Sequence, residues 1–301
     1  MKKLRILSAV IAAILILAAG LYFFVLPTVN RHMDETVYTV YSPKVSGRIR
    51  LALLTDWHQN SEGLDEQALL ERIRAYKPDL ILIGGDLVNK KDTKIEAAVS
   101  FCGQLTQIAP VCYALGNHDN AAVYGNDLNK EFLESEGLSE GSDLTAAIVH
   151  PELLDQLAAA GVTVLNNDCI SVDIDGNPID ICGVSTNASS FWPYSGDMYW
   201  QYLQEQPEHY KLLICHRPEV AGQYLQDTSA DLIVSGHTHG GIIRLPGIGG
   251  LIGTEGDLFP EYDGGLYPLE HAQLVVSRGM GGLEKIPRIF NRPELVIIDI
   301  N

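Results

Sequence analysis

The sequence predicts a layered α/β domain with short strands in more than one sheet, preceded by an apolar N-terminal segment. Short apolar runs typical of buried strands alternate with stretches of helical spacing from residue 49 onward. Several of these runs end in a polar motif flanked by glycine, a pattern that indicates loops. Of the 301 residues, 46% are apolar and 20% are charged, which is a globular composition and excludes wholesale disorder.

The charge balance argues against some classes of function. The chain has 38 acidic and 21 basic residues, and its formal net charge is −17. Nucleic-acid coats and polybasic lipid-binding surfaces use Lys and Arg to neutralise phosphates, so this balance argues against both, and no nucleic-acid partner is expected. A phosphate substrate is compatible with the charge if metal cations supply positive charge locally.

The nearly unbroken apolar run at residues 6–26 predicts a single transmembrane helix. At a rise of about 1.5 Å per residue it can cross a hydrocarbon core of about 30 Å. Basic residues at positions 2, 3 and 5 precede it, which keeps the N-terminus in the cytoplasm and exports the remainder. A cleavable signal peptide is the alternative, but the run is longer than the apolar core of a typical signal peptide, which favours an uncleaved anchor.

We therefore expect a single-pass protein of the cell membrane with an extracytoplasmic globular domain. Residues 1–30 would form a cytoplasmic tip and signal-anchor, residues 31–48 a tether with a lead-in strand, and residues 49–301 the domain. Within it, residues 120–148 are polar and contain glycine, which predicts an insertion, and residues 245–271 are rich in Gly and Pro, which predicts mostly loop. Periodicity predicts strands at 49–55, 80–83, 111–115, 162–165, 211–215, 232–235, 273–277 and 294–300, and helices at 64–76, 93–107, 151–160 and from about 218.

Five cysteines do not form a metal-type Cys-x-x-Cys pattern. Cys169 and Cys182 lie on two alternating runs around Asp175-Gly176. A two-residue type I′ turn there would place the two cysteines directly opposite each other, whereas a four-residue loop at 175–178 would shift the partner by two. We state a Cys169–Cys182 disulfide as a hypothesis. The other cysteines, Cys215 among them, are expected to be buried packing residues.

Five of the predicted strands end in oxygen or imidazole side chains. Because the carboxyl ends of strands in open α/β sheets form binding sites, we expect these side chains to converge. Three oxygen donors and four imidazoles are more than one tetrahedral ion needs, so they suit two cations that share a carboxylate. Mixed imidazole and carboxylate ligands favour transition ions such as Mn, Fe or Zn over Ca or Mg. The candidate ligands are Asp56, His58, Asp86, Asn117, His216, His237 and His239.

In this order the motifs resemble the signature of the calcineurin-like metallophosphoesterase superfamily, which runs D-x-H, G-D, G-N-H-[DE], H and G-H-x-H. The segments "LLICHRPE" at 212–219, "GHTHGG" at 236–241, "VSRGMG" at 276–281 and the terminal "NRPELVIIDI" more narrowly resemble the membrane-associated YkuE/YaeI-like branch. The likeness covers about residues 46–301. The segment "TDWHQN" departs from the more usual "SDLH" form, which alters the rim beside the ligands.

The resemblance implies a four-layer α/β/β/α sandwich of two mixed sheets and a dinuclear centre. It implies a first ion held by Asp56, His58 and His239, a second held by Asn117, His216 and His237, and Asp86 as the bridge between them. His118 falls on the non-ligating catalytic histidine of the family. Asp119 would orient the His118 imidazole through a hydrogen bond.

These expectations define a metal-dependent phosphoesterase that hydrolyses phosphoester or pyrophosphate bonds through a metal-bridging hydroxide. Asn117 and His118 would stabilise charge on the phosphate oxygens, and His118 would protonate the leaving group. The expected substrate is a small-molecule or lipid-linked phosphoester. The aromatic residues between 191 and 202 are either part of the site rim or packing residues, and Arg217, Arg244 and Arg278 are either phosphate contacts or ordinary salt bridges.

Two alternatives stay open at this point. One is a catalytically silent, metal-stabilised binding module on the cell surface, which would have no use for a non-ligating histidine at position 118. The other is a protein phosphatase, although an extracytoplasmic domain would meet few phosphoproteins. The sequence leaves the native metals and the oligomeric state open.

Overall fold

The structure is a computed structural model that describes residues 30–125, 147–185, 205–224, 229–254, 256–282 and 287–301, with residues 8, 10–13, 16 and 20 of the N-terminal run. The aromatic segment at 191–202 lies outside the described residues, as does most of the expected insertion.

The first sheet has six strands in the order β1-β14-β2-β3-β4-β5. Strands β2 to β5 are parallel to one another, and β14 runs antiparallel to β2 and parallel to β1. This places residues near both ends of the chain side by side, as in the pair Asp34 and Glu294. The strands are β1 (Asp34–Val40), β2 (Ile49–Leu54), β3 (Leu80–Ile83), β4 (Val111–Tyr113), β5 (Val162–Val164) and β14 (Glu294–Ile300).

The second sheet also has six strands, in the order β12-β13-β9-β8-β7-β6. Its centre is parallel and its two outer pairs, β12 with β13 and β6 with β7, are antiparallel. The strands are β6 (Asp168–Ile174), β7 (Asn177–Val184), β8 (Tyr210–Cys215), β9 (Leu232–Ser235), β12 (Gly265–Pro268) and β13 (Gln273–Val276). A small ribbon of β10 (Arg244–Leu245) and β11 (Gly249–Gly250) lies outside both sheets.

Helices cover the outer face of each sheet. The helices are α1 (Glu66–Tyr76), α2 (Glu96–Leu105), α3 (Asn117–Tyr124), α4 (Leu153–Ala159) and α5 (Pro218–Tyr224). Buried residues of α1 to α4 pack on the first sheet, and those of α5 pack on the second. Between the sheets lies an apolar layer to which both contribute, for example Leu51 and Leu82 from one and Leu212 and Val234 from the other. The described chain thus forms the two mixed sheets and the layered arrangement that were expected.

Local sequence accounts for the start and end of α1. The carboxylate of Asp65 accepts a hydrogen bond of 3.1 Å from the Ala68 backbone N–H and caps the first turn. Lys77 ends the helix in the left-handed conformation, with φ 51°. Leu69, Leu70 and Ile73 share the buried face, as the helical spacing predicted.

One of the two expectations about loops needs correction. The expected insertion at 120–148 begins inside helix α3, because residues 117–124 are helical and Ala122 and Val123 pack into the core beneath the first sheet. Residues 245–271 are mostly loop among the described residues, as predicted, but they also contain the edge strand β12, which the Gly and Pro content did not indicate. Edge strands have neighbours on one side only, so their sequences carry a weaker pattern.

The cysteine hypothesis is confirmed. Cys169 and Cys182 face each other in the β6–β7 hairpin and form a disulfide. Asp175 and Gly176 form the turn with φ 52° and 81°, the positive values of a type I′ turn. The remaining cysteines, Cys102, Cys112 and Cys215, are free and buried.

Among the residues that the structure describes, no helix is long and apolar enough to cross a membrane. Of the run at 6–26, only residues 8, 10–13, 16 and 20 are described, and they are helical. The expected membrane span therefore stays a prediction.

Candidate metal centre

The candidate ligands converge where the carboxyl ends of parallel strands from both sheets meet. Asp56 and His58 follow β2, Asp86 follows β3, and Asn117 begins the helix after β4. His216 follows β8 from the opposite sheet, and His237 and His239 follow β9. The sandwich brings these loops together at one edge, as the strand-end pattern predicted.

One group of three buried ligands consists of Asp56, His58 and His239. His239 Nε2 lies 3.4 Å from Asp56 Oδ1 and 3.3 Å from His58 Nε2. The two imidazole rings stack with their planes 11° apart. One oxygen and two nitrogens at these separations suit a single first-row cation.

The other group consists of Asp86, His216 and His237. His216 Nε2 lies 3.2 Å from Asp86 Oδ2 and 3.8 Å from Asp56 Oδ1, so it faces both carboxylates. Asp86 Oδ2 is also 3.9 Å from His58 Nε2, a member of the first group. The Asp86 carboxylate therefore lies between the two groups.

Hydrogen bonds fix the tautomers of two imidazoles. His216 Nδ1 donates to the carbonyl oxygen of Gly84 at 2.7 Å, and His239 Nδ1 donates to that of Gly281 at 3.1 Å. A carbonyl oxygen only accepts, so each Nδ1 carries the hydrogen. The Nε2 lone pair of each ring is then available to a cation when the ring is neutral.

The ligand backbone is held in an unusual conformation. Asp56, His58, Asp86, His237 and His239 all have positive φ, between 44° and 69°. Non-glycine residues in this region carry strain, which persists only when the surrounding structure enforces it. Such residues concentrate at functional sites, and here five of the candidate ligands share the feature.

The electrostatics of the group call for positive charge. Burial alone would lower the pKa of His216, but the neighbouring negative charge of Asp86 raises it to about 10. Burial opposes ionisation of Asp86, yet His216 and His118 bring its pKa well below the usual value. Burial, followed by neighbouring His118, lowers the pKa of His58 to about 3 and keeps that imidazole neutral. The buried carboxylates therefore need positive charge beside them, which the protonated His216 ring supplies in the metal-free protein and a bound cation would supply in its place.

Buried polar atoms without hydrogen-bond partners indicate whether these residues are suited to bind metal ions. Within the described part of the chain, His58 Nδ1, Asn117 Oδ1 and His216 Nε2 are buried and have no hydrogen-bond partner. A buried polar atom without a partner is costly, and His216 Nε2 and Asn117 Oδ1 are positions from which a ligand atom would be expected. The residues present therefore fit a pair of divalent cations.

The surroundings of His118 differ from expectation. Its backbone N–H donates to Asp86 Oδ1 at 2.8 Å, and its ring lies edge-on to His58 with centroids 4.9 Å apart. Asp119 was expected to orient the His118 ring, but both carboxylate oxygens accept backbone N–H groups instead, from Val88 and Gly116 at 3.0 Å each. Asp119 comes directly after His118 in the first turn of α3, and adjacent residues of a helix do not face each other. Its carboxylate therefore ties this turn to the loop after β3. The His118 Nδ1 contact is with the Lys90 backbone N–H, at 3.4 Å.

Sequence reasoning missed Arg288. Its side chain is buried, its Nε donates to the Gly281 carbonyl at 2.8 Å, and its Nη2 lies 3.4 Å from His239 Nδ1. Arg288 and His239 thus share one carbonyl acceptor. Only the likeness of the terminal segment to the YkuE/YaeI-like branch drew attention to this region, because an isolated arginine has no local pattern.

The other arginines that were considered form ordinary contacts. Arg217 pairs with Glu219 at 2.8 Å, Arg244 lies 3.3 Å from Asp263, and Arg278 lies 3.0 Å from Glu294. Burial raises the pKa of Cys215 to about 12, so the thiol is protonated and packs as expected.

A pocket of about 660 Å³ opens beside the second ligand group. His237 and Thr238 form its inner end, and Thr254, whose Oγ1 lies 3.3 Å from His237 Nε2, forms part of its wall. Tyr262 and Leu269 supply apolar lining. The pocket has room for a substrate much larger than a phosphate group.

A model of the calcineurin-like phosphoesterase family matches residues 49–241, and the chain belongs to this family. It is a hydrolase of phosphoric ester bonds in a family that uses divalent metals. Its relatives place it in the branch of YkuE and YaeI.

Three relatives are similar to this chain in sequence, and one solved structure is similar to it in fold. The chain is 25% identical over 286 residues to the UDP-2,3-diacylglucosamine pyrophosphatase LpxG of Chlamydia muridarum, covering 83% of each chain. It is 26% identical to the phosphodiesterase YaeI of Escherichia coli, and the match covers 74% of this chain and 71% of YaeI. It is 25% identical to the metallophosphoesterase YkuE of Bacillus subtilis, and the match covers 89% of this chain and 86% of YkuE. The structure of TT1561 of Thermus thermophilus shares the fold with a TM-score of 0.50 at 12% identity, covering 78% and 91%.

Proposed function

We propose that the chain is a dinuclear phosphoesterase that cleaves a lipid-linked phosphodiester or pyrophosphate at the outer face of the cytoplasmic membrane. The position of the Asp86 carboxylate between two groups of ligands carries the dinuclear assignment. In the proposed centre Asp56, His58 and His239 would hold one ion, Asn117, His216 and His237 would hold the other, and Asp86 would be shared. Bound cations of this type supply a nucleophilic hydroxide at neutral pH and positive charge for the phosphate oxygens.

The residues of the chain then have defined tasks. The hydrogen bonds of His216 and His239 to backbone carbonyls hold both rings with Nε2 facing the centre. His118, which is not among the grouped ligands, is placed by its neighbouring backbone contact with Asp86 and protonates the leaving oxygen. Asn117, whose amide oxygen is buried without a hydrogen-bond partner, would bind the second ion through that oxygen.

The substrate class rests on two supports. LpxG is a pyrophosphatase of a diacylated nucleotide sugar and YaeI is a phosphodiesterase, and both match this chain over most of its length. The pocket beside His237 has the volume for an acylated or nucleotide-linked phosphoester. Its lining is mixed, with Tyr262 and Leu269 beside the carboxylates of Glu219, Asp257, Glu261 and Glu270. The apolar run at residues 6–26 is proposed to anchor the domain beside such lipids.

A metal and substrate panel tests the proposal. The full chain, stripped of metal and reloaded with Mn²⁺, Zn²⁺ or Fe²⁺, is assayed with bis-nitrophenyl phosphate, nitrophenyl phosphate and a vesicle-embedded diacylated nucleotide-sugar pyrophosphate. We expect hydrolysis of the diester and of the pyrophosphate with two ions bound per chain, and loss of turnover in Asp86→Asn. Full loading with two ions and no hydrolysis of any ester would instead favour the silent binding module.

A further inference from the structure

Four large apolar side chains are exposed near the metal centre. Ile248, Leu258, Phe259 and Phe290 have exposed fractions of 68%, 67%, 57% and 74%. We call these four residues the apolar rim. Single exposed apolar residues are common on protein surfaces, whereas a group of them indicates an interaction surface.

The apolar rim belongs to one hydrogen-bonded ribbon. Ile243 forms a bridge with Ile289, next to Phe290, and accepts a hydrogen bond of 2.7 Å from the Leu251 backbone N–H. Leu251 in turn accepts one of 3.0 Å from the Phe259 N–H. Ile248 lies in the turn between β10 and β11 of the same ribbon. Neighbouring strands lie about 4.8 Å apart, so these segments lie side by side.

This ribbon borders the metal centre and the pocket. Asn291, next to Phe290, donates from Nδ2 to the His239 carbonyl at 2.6 Å. In the same ribbon, Asp257 and Pro260 flank Leu258 and Phe259 in sequence and line the pocket. The apolar rim thus lies beside the opening through which a substrate reaches His237.

Asn30, the first residue of the described domain, lies at the same place. The apolar run ends at residue 26, and Asn30 donates from Nδ2 to the Arg288 carbonyl at 3.3 Å, two positions before Phe290. Strand β1 then leads away from this edge, and its carboxyl end lies beside the last residue, where the Ser42 N–H donates to the Asn301 carbonyl at 2.9 Å. Because β14 runs antiparallel to β2, that end is opposite the metal centre.

We infer that the apolar rim docks on the lipid bilayer, so that the pocket and the metal centre face the headgroup region beside the anchor at residues 6–26. The inference rests on the proposed function, because it gives the lipid-linked substrate its route of entry. The four side chains are uncharged and the chain carries a net charge of −17, so docking uses apolar contact and needs no anionic lipid.

Fluorescent labels on the full chain in phosphatidylcholine vesicles test the docking. Phe259→Cys and Phe290→Cys are labelled with nitrobenzoxadiazole, and Tyr41→Cys is the matched control, since Tyr41 is 76% exposed at the far end of β1. The labelled wild type measures the background from its buried thiols. We expect a blue shift and a several-fold rise in emission at 259 and 290, quenching there by brominated lipid, and no change at 41.

Three results would overturn the inference. These are unshifted labels at 259 and 290, an equal shift at 41, or a shift that disappears when the protein is diluted within the vesicles, which would assign the apolar rim to a second copy of the chain. The labels report without turnover, so a failure of the proposed function is seen separately, in the substrate panel.

A second experiment measures how the apolar rim affects hydrolysis of a membrane-embedded substrate. The double variant Phe259→Ser/Phe290→Ser changes exposed side chains and should keep the wild-type melting temperature. We expect it to hydrolyse soluble bis-nitrophenyl phosphate at the wild-type rate and the vesicle-embedded pyrophosphate several-fold more slowly. Equal rates of the two proteins on both substrates would contradict the docking role.

Discussion

Arg288 Nε donates a hydrogen bond of 2.8 Å to the carbonyl oxygen of Gly281, the oxygen that also accepts from His239 Nδ1. The guanidinium is buried, and burial lowers its pKa to about 10. The shared acceptor holds the His239 ring in the tautomer and orientation that a cation requires. Arg288 is thus a positioning residue for the candidate metal centre.

Arg288→Lys should weaken metal binding without unfolding the domain. A lysine cannot reproduce the planar set of donors, so the Gly281 carbonyl and the His239 ring lose their fixed relation. We expect a loss of about 10–100-fold in metal affinity, the usual effect of removing such a partner. Chelator competition measures the affinity. Arg292→Lys, a change at a half-exposed side chain, is the control and should bind metal like the wild type.

His118→Ala should keep both ions and lose turnover. The residue lies next to the ligands but is not among the grouped ligands, and removal of a general acid costs about 10²–10⁴-fold in rate. Metal analysis by mass spectrometry and kcat on bis-nitrophenyl phosphate measure the two quantities. His271→Ala, at an exposed position, serves as the control. Loss of metal in step with loss of rate would make His118 a ligand.

Gly116→Ala should disrupt the centre sterically. A Cβ at position 116 would lie 2.5 Å from the Asp86 backbone nitrogen and closer still to the carboxylate. Such overpacking costs about 1–3 kcal/mol and would displace the carboxylate. We expect a lower melting temperature and less bound metal. In Gly103→Ala, within helix α2, the nearest atom is 3.9 Å away, so this control should be as stable as the wild type or more so.

The pair of Arg50 and Asp299 should contribute stability that acid removes. Arg50 donates to the two Asp299 oxygens at 2.6 and 2.7 Å, and these hydrogen bonds lower the pKa of Asp299. Stability from a lowered pKa is present above the unfolded-state pKa of about 4 and is lost as pH falls through the folded-state value. We expect Asp299→Asn to cost about 1.5–3 kcal/mol at neutral pH.

Thermal unfolding of the metal-free protein between pH 7 and pH 3 measures this contribution. The difference in melting temperature between wild type and Asp299→Asn should shrink as pH falls. A difference that stays constant across this range would show that the carboxylate charge contributes nothing.

The hairpin disulfide should stabilise the domain in an oxidising compartment. Its sequence separation is 13, and a loop of about 15 residues corresponds to about 3 kcal/mol in the chain-entropy model. Dithiothreitol should therefore lower the melting temperature of the wild type. The variant Cys169→Ser/Cys182→Ser should start at the reduced value and not respond to dithiothreitol. A response of equal size in both proteins would assign the effect to another group.

The sequence by itself indicated the candidate ligands and one of two possible registers for the cysteine pair. Asp56, Asp86 and His216 each follow an apolar run, and the end of such a run in the sequence is enough to locate the end of a buried strand. The Cys169–Cys182 register follows from a two-residue turn, which is again a local property.

Only the tertiary structure decided which atoms meet. Three contacts join segments that are distant in sequence or depend on backbone direction. They are the position of His216 Nε2 between two carboxylates, the backbone hydrogen bonds to Asp119, and the contact between Arg288 and His239. Strand β12 and the apolar rim beside the pocket likewise carry no local pattern. Such contacts are set by the packing of two sheets against each other, and a pattern read along one segment contains no information about its distant partner.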